Sequence, residues 1–335
     1  MAGRSRKMFG WAEDMKQLWL KAASLPAKRG NPEPVRDALD CFVATLLAMT
    51  ILGVPIAKAA PDPAKSSNPF KHWIDAAHGP EPETQVQQLD PDTFAIRQSI
   101  ATNPEGPFLY LLFGTDRAIL FDTGAGGLKI KPTVDKVMAE WLKTKGRASI
   151  PLVIAHSHSH GDHIAGDPEF VGQPDVTIVG HAPEQVAAFF GIKSWPNDVE
   201  PFDLGGRVID VIPTPGHEAA ALMIFDRRTR VLLTDDTLYA GRLYCKYDQL
   251  DNFRKSVDRA VAFTKSLNVS LVLGAHIEMT TTPRRDYAIH AASHPKEHVL
   301  QLPYSRLLAL QAALHKMGDF PRLDVEDDFI FYPLP

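Results

Sequence analysis

The sequence contains little cysteine, no excess of positive charge and no apolar run long enough to span a membrane. Its two cysteines, Cys41 and Cys245, provide neither a disulfide framework nor a thiolate metal site. The formal net charge of −4 leaves no broad basic surface for a phosphate backbone, so we expect no nucleic-acid partner. Apolar content of 44% and charged content of 23% are those of an ordinary globular protein.

An apolar run lies near the N-terminus. Residues 41–56 (CFVATLLAMTILGVPI) carry no charge, but the run is shorter than the about 20 residues that a membrane-spanning helix needs. Residues 57–60 (AKAA) follow, and an apolar core ending in A-x-A resembles a secretory signal peptide. The preceding segment is long for a signal peptide, and Asp37 and Asp40 flank the core, so a helix of a cytoplasmic protein is the alternative. We predict export to the periplasm or the medium, with cleavage near Ala59.

A Pro-, Ser- and Ala-rich stretch separates this segment from the rest of the chain. We therefore predict three parts. Residues 1–59 form an N-terminal extension with the signal peptide or anchor, residues 60–88 a linker or strap, and residues 89–335 the folded domain.

Beyond the linker, short apolar runs alternate with amphipathic segments. The predicted strands are 93–98, 108–113, 118–121, 152–155, 176–179, 208–212, 221–225, 231–233 and 270–273, with a closing strand at 329–332. The predicted helices are 134–143, 183–190, 253–266 and 304–316. This pattern alone indicates only an α/β or α+β protein.

Metal-ligating side chains are concentrated directly after the predicted strand 152–155. The spacing H-x-H-x-D-H is formed by His158, His160, Asp162 and His163. A chain that leaves a strand can direct alternate side chains to one point, so His158 and His160 can share one ion. Asp162 and His163 lie beyond a glycine and can turn toward a second ion. Imidazole and carboxylate ligands without thiolate suit zinc, with iron or manganese as alternatives. A solvated histidine-rich loop would explain these residues less well than a metal site.

This motif resembles that of the metallo-β-lactamase-fold hydrolases, and three later segments resemble the remaining parts of their site. Residues 214–217 (TPGH) match a T-P-G-H segment, and residues 232–238 (LLTDDTL) match an L-x-x-G-D-T-L segment. Residues 271–276 (LVLGAH) end on a histidine, as does the segment with the last ligand. Asp235 stands where the family usually has glycine. The resemblance covers roughly residues 108–276.

The resemblance implies both a fold and a set of ligands. The fold is α+β, an αββα sandwich of two mixed β-sheets flanked by helices. The implied cofactors are two Zn²⁺ ions. The implied ligands are His158, His160 and His217 for one ion, Asp162, His163 and His276 for the other, and Asp236 as the bridge.

The resemblance also implies a function, which is metal-dependent hydrolysis of a small molecule. A hydroxide shared by the two ions would attack the carbonyl carbon of an ester, lactone or thioester. Asp162 is expected to hold this hydroxide and to carry a proton to the leaving group. The carboxylate of Asp236 is evidence against a β-lactamase, because β-lactamases of the resembled fold generally lack a carboxylate at this position. Thioesterases of the glyoxalase II type and acyl-homoserine lactonases keep it.

Tyr239 is the predicted substrate-contacting residue. It matches a tyrosine that touches the substrate carbonyl in the lactonases, so its hydroxyl is expected to support the oxyanion. Packing at a strand end is the alternative. Arg242 and Tyr244 faintly resemble the segment with which glyoxalase II holds glutathione. Two further functions remain open: a β-lactamase, and an iron-dependent sulfur dioxygenase or oxidoreductase of the same fold.

The remaining histidines receive structural interpretations. His156 is expected to be buried or to support the ligands from outside, and Asp122 to do the same from an early turn. The spacing of His290, His294 and His298 favours a solvated helix face over the mouth of the site. The sequence indicates no obligate protein partner and leaves the oligomeric state open.

Overall fold

The computed structural model describes residues 69–335, so the predicted export signal and the start of the predicted linker lie outside the described residues. Within this range, no helix combines the length and the apolar character that crossing a bilayer requires. The last part of the predicted strap packs on the domain through Phe70, Trp73 and Ile74, which are all buried. The first strand begins at Thr84, before the predicted domain boundary at residue 89.

The first sheet contains six strands in sequential order. They are β1 (Thr84–Asp90), β2 (Thr93–Gln98), β3 (Phe108–Phe113), β4 (Ala118–Phe121), β5 (Leu152–Ala155) and β6 (Val176–Ile178). The strands β1 to β4 are antiparallel, and β4, β5 and β6 are parallel. The parallel crossover from β4 to β5 contains helix α1 (Lys131–Lys145), because parallel strands cannot be joined by a tight hairpin.

The second sheet also has six strands, and a smaller third sheet follows. The second contains β7 (Glu200–Asp203), β8 (Val208–Pro213), β9 (Leu222–Asp226), β10 (Val231–Asp235), β12 (Leu271–Gly274) and β13 (Gln301–Leu302), in the order β13-β12-β10-β9-β8-β7. The third contains β11 (Arg242–Lys246), β14 (Asp324–Val325) and β15 (Ile330–Leu334). The other helices are α2 (Gly161–Ile164), α3 (Pro183–Phe190), α4 (Leu250–Thr264) and α5 (Ser305–Met317).

Alternate residues of a strand face opposite sides of its sheet, so each strand contacts two layers of the fold. In β3, Phe108, Tyr110 and Leu112 join the core between the two sheets, whereas Leu109 and Leu111 face α1 on the other side. The outer face of the second sheet is covered in the same way by α4 and α5. The order of layers is therefore helix, sheet, sheet, helix, and the predicted αββα sandwich is confirmed.

A buried arginine joins the two sheets. Arg207 precedes β8, and its guanidinium donates to Asp226 at 3.1 and 2.7 Å in the second sheet. It also donates to Asp92 O at 2.7 Å and Thr93 Oγ1 at 2.6 Å where β2 of the first sheet begins. Burial would raise the pKa of Asp226, but the hydrogen bonds and charge of Arg207 hold it below its ordinary value. The Asp226 carboxylate is thus ionised, and its pair with Arg207 connects the two sheets.

Candidate metal centre

The predicted ligands meet where several strands end at one edge of the sandwich. The histidine-rich loop follows β5, His217 follows β8, Asp236 follows β10, and His276 follows β12. Two groups of metal-ligating side chains form there: His158, His160 and His217 in one, and Asp162, His163, Asp236 and His276 in the other. All seven residues predicted from the sequence as metal ligands thus lie at one site.

The first group consists of three imidazoles that point at one another. His158 Nε2 lies 2.9 Å from His160 Nδ1, which lies 3.0 Å from His217 Nε2. The three rings are steeply inclined to one another, at 77–87°. Burial and the neighbouring His163 lower the pKa of His158 to about 3, and burial and His158 lower that of His160 to about 4. Both imidazoles are therefore neutral at pH 7, the form that binds a metal ion.

The second group is connected to the first by one carboxylate. Asp236 Oδ2 lies 3.3 Å from His217 Nε2, and its Oδ1 lies 3.3 Å from His276 Nε2. Asp162 Oδ2 lies 3.2 Å from His163 Nε2 and 3.5 Å from His276 Nε2. Burial would raise the pKa of Asp236, but His276 and His163 hold it well below its usual range. Asp236 Oδ2 also lies 3.6 Å from His163 Nε2, so the carboxylate of an ionised Asp236 borders both groups.

Four of the five histidines are oriented by a hydrogen bond from Nδ1. The acceptors are Asp235 Oδ2 for His158 at 2.9 Å, Asp122 Oδ2 for His163 at 3.0 Å, Tyr244 O for His217 at 2.8 Å and Glu105 O for His276 at 2.9 Å. Carbonyl and carboxylate oxygens only accept, so Nδ1 carries the proton and Nε2 is the ring atom that faces the centre. This orientation from outside is typical of metal-ligating histidine.

Two buried atoms of the predicted ligands have no hydrogen bond within residues 69–335. They are His163 Nε2 and Asp236 Oδ1. Burying such atoms without a partner is costly, and a cation between the two would satisfy both. Nitrogen and oxygen donors without sulfur are the set that zinc accepts in hydrolytic sites. The residues present therefore fit divalent metal ions.

The turn after β4 fastens the histidine-rich loop, as predicted for Asp122. Asp122 Oδ1 accepts from Ser157 N at 2.7 Å, and Oδ2 accepts from Ser157 Oγ at 2.8 Å. In the turn that carries His217, Gly216 has φ +148°, and a Cβ there would lie 2.4 Å from Phe253 Cα. Only glycine fits between this turn and α4, which explains the glycine of the TPGH segment.

His156 lies behind the centre and contacts Asp167 rather than the predicted ligands. Its Nε2 lies 2.8 Å from Asp167 Oδ1, and His181 Nε2 lies 2.8 Å from Asp167 Oδ2. Thr123 Oγ1 donates to the same carboxylate at 2.8 Å. This hydrogen-bonded cluster fastens the histidine-rich loop, and the predicted burial of His156 is confirmed.

Tyr239 is buried beside His276, and its hydroxyl already has partners. The oxygen lies 2.5 Å from Arg242 O and 3.1 Å from Glu278 Oε2, and a phenol has one proton to donate. The predicted contact with a substrate carbonyl stays a prediction. The Arg242 guanidinium pairs with Glu278 and Asp286, both at 2.8 Å, and donates to Tyr287 O. Tyr244 contributes its backbone carbonyl to His217.

The prediction of a histidine-bearing helix face after His276 is wrong. Residues 287–300 form turns, and His290 and Lys296 have φ of 58° and 65°, which no α-helix accommodates. His290 is exposed, whereas His294 is buried and stacks on Tyr287 with ring centroids 4.2 Å apart. His298 lies 3.2 Å from Asp328. The three histidines therefore do not share one face.

Sequence reasoning missed three contributors to the centre. Asp235 faces the Nδ1 atoms of two ligands, Glu105 offers a carbonyl to a third, and Asp167 fastens the loop. Asp235 carried a signal, because it departs from the glycine of the resembled segment. Glu105 lies 171 residues from His276, and no local pattern marks either Glu105 or Asp167.

Comparison with known proteins agrees with this geometry. The family model described as the metallo-beta-lactamase superfamily matches residues 102–276, more than half of the chain. A hydroxyacylglutathione hydrolase of Rhizobium meliloti (strain 1021) is 27% identical over 152 residues, which are 43% of this chain and 58% of that protein. A second such enzyme, from Chelativorans sp. (strain BNC1), is 29% identical over 37% of this chain and 49% of its own length. The chain thus spans about half the length of these relatives.

Two further proteins are similar over a longer part of the chain. The acyl-coenzyme A thioesterase MBLAC2 of Homo sapiens is 22% identical over 227 residues, which are 57% of this chain and 80% of that protein. Among solved structures, a metallo-beta-lactamase from Pontibacter korlensis is 19% identical. The alignment covers 69% of this chain and 99% of that one, with a TM-score of 0.46.

Proposed function

The chain belongs to the metallo-beta-lactamase superfamily, and on that premise we propose that it is a hydrolase with a two-zinc centre. Its substrate is a small molecule with an ester, lactone or thioester bond. The observation that carries the proposal is the position of Asp236, whose carboxylate borders both groups of ligands. Asp236 would therefore be a ligand shared by both ions.

The two groups of side chains indicate which residues would bind each ion. His158, His160 and His217 would hold one ion, and Asp162, His163 and His276 the other. When bound, two such ions polarise a carbonyl oxygen and make water a nucleophile near neutral pH. Asp235, Asp122 and two backbone carbonyls keep the imidazoles in the required tautomer.

Asp162 is the residue we propose to move the proton. Its side chain is 23% exposed, against 9% or less for Asp122, Asp235 and Asp236, so it is the carboxylate at the centre that a substrate reaches most easily. Burial would raise its pKa, but the neighbouring His163 and His276 hold it well below its usual range. Asp162 is therefore ionised, accepts a proton from the attacking water and passes it to the leaving atom.

Among the three bond types we propose a thioester first. The relatives with curated names include hydroxyacylglutathione hydrolases and an acyl-coenzyme A thioesterase, both of which act on thioesters of small carriers. Arg242 is not proposed as the anchor of a glutathione carboxylate, because Glu278 and Asp286 already pair with its guanidinium. We therefore expect residues other than Arg242 to bind the thiol-carrier part of the thioester.

A substrate panel tests this proposal. Purified zinc-loaded protein is assayed with S-lactoylglutathione, an acyl-coenzyme A, an acyl-homoserine lactone, an aryl ester and a cephalosporin. We expect turnover of a thioester, with Asp162→Asn reducing kcat by about 10²–10⁴, the range of a general acid–base group. Turnover of the cephalosporin alone would instead identify a β-lactamase. Iron bound to the protein as isolated, with no hydrolysis by the zinc-loaded protein, would favour the oxidoreductase alternative.

A further inference from the structure

Asp235 occupies a backbone position that suits glycine. It ends β10 directly before Asp236, and its φ of 46° lies in the left-handed region. Residues with a Cβ are disfavoured there, and glycine is the residue that adopts it without strain. The resembled L-x-x-G-D-T-L segment indeed has glycine at this place. Aspartate tolerates the left-handed region better than most residues with a Cβ, and its side chain adds contacts that glycine lacks.

The side chain of Asp235 contacts ligands of both groups from behind. Its Oδ2 lies 2.9 Å from His158 Nδ1, and its Oδ1 lies 3.4 Å from His163 Nδ1. The carboxylate is 4% exposed, and Oδ1 makes no hydrogen bond within residues 69–335. His158 belongs to the first ligand group and His163 to the second, so one carboxylate contacts a ligand of each group.

Asp235 also changes the charge of the centre. Asp235 adds a carboxylate to those of Asp122, Asp162 and Asp236 around the ligand histidines. Glycine at this position would remove that carboxylate. In a buried site a nearby negative charge makes the imidazole a stronger electron donor to the metal.

We infer that Asp235 is a positioning residue of the metal centre, which orients His158 and His163 and raises the affinity for both ions. The inference rests on the proposed function, since it concerns how firmly the same site holds its metals. In this role Asp235 acts through the two histidines and not as a ligand.

The test compares zinc affinities of the full chain by competition with a chromophoric chelator. Asp235→Gly restores the residue of the resembled segment, and Asp235→Asn keeps the size and one acceptor oxygen but removes the charge. The matched control is Asp175→Gly, because Asp175 is exposed and has a similar φ of 58°. Thermal unfolding of the metal-free proteins is measured in parallel.

We expect Asp235→Gly to lower zinc affinity about 10–100-fold, the range found for outer-shell partners of metal ligands. Asp235→Asn should fall between Asp235→Gly and the wild type, and its metal-free form should unfold at the wild-type temperature. Asp175→Gly should bind zinc like the wild type. Wild-type affinity in both Asp235 variants would overturn the inference and leave the proposed function standing. A wild-type protein that binds no zinc would overturn both.

Discussion

Replacing Asp236 by asparagine exchanges one carboxylate oxygen for an NH₂ group and affects both ligand groups. Asp236 is 6% exposed, and its oxygens lie 3.3 Å from His217 Nε2 and 3.3 Å from His276 Nε2. An asparagine has the same shape but offers one oxygen and one NH₂ group, which cannot bind a cation. One ion therefore loses one of four protein donors, and both ions lose the shared negative charge.

The size of the effect follows from this count. Outer-shell partners of metal ligands typically contribute about 10–100-fold in affinity or activity, and a direct bridging ligand contributes more. We therefore expect Asp236→Asn to weaken the more labile of the two zinc ions by more than about 100-fold. Turnover should fall by a similar factor because the chemistry needs both ions.

The assay is elemental analysis after dialysis, together with turnover and far-ultraviolet circular dichroism. Asp319→Asn, at a side chain that is 89% exposed, is the matched control and should behave like the wild type. A folded Asp236→Asn protein that retains two zinc ions and full turnover would refute the bridging role.

Three further predictions concern the frame of the site. Arg207→Met should lower the free energy of unfolding by about 3–5 kcal/mol in urea titrations at pH 7, because it leaves the Asp226 carboxylate buried without its partner. The pKa of Asp226 is lowered in the folded protein. Its ionised carboxylate therefore stabilises the fold above the unfolded-state pKa of about 3.9, and this stabilisation is lost as the pH falls through the pKa of the folded state. The stability difference between wild type and Arg207→Met should therefore shrink below about pH 4, and an unchanged difference at pH 3.5 would contradict this. Tyr239→Phe removes the hydroxyl beside Arg242 O and should cost about 1–3 kcal/mol of stability with less than a tenfold change in kcat. A 10²–10³-fold fall in kcat with intact stability would instead establish the predicted oxyanion contact.

Much of the site could be predicted because its ligands lie at the ends of apolar strands. The spacing of His158, His160, Asp162 and His163 after a buried strand identifies the centre from the sequence alone, and the later segments follow in the expected order. Which side of each imidazole faces the centre depends on contacts such as that of His158 with Asp235, 77 residues away. No local pattern encodes such pairs.

Strands that are buried along their whole length were predicted from the sequence, and a strand without buried residues was missed. β3, β4 and β5 are buried along their whole length and read as apolar runs. β1 (TQVQQLD) is a polar strand at the sheet edge, without a buried residue, and therefore looks like a linker. The four-residue spacing of His290, His294 and His298 resembled a helix, but the left-handed backbone at His290 excludes one.

The most direct test of a two-metal hydrolase is a zinc titration of the metal-free protein, with turnover of a thioester recorded at each addition. Because Asp236 faces both ligand groups, turnover should rise until about two zinc ions are bound per chain and then stay constant. Full turnover at one zinc per chain, or turnover without any metal, would contradict the two-metal centre.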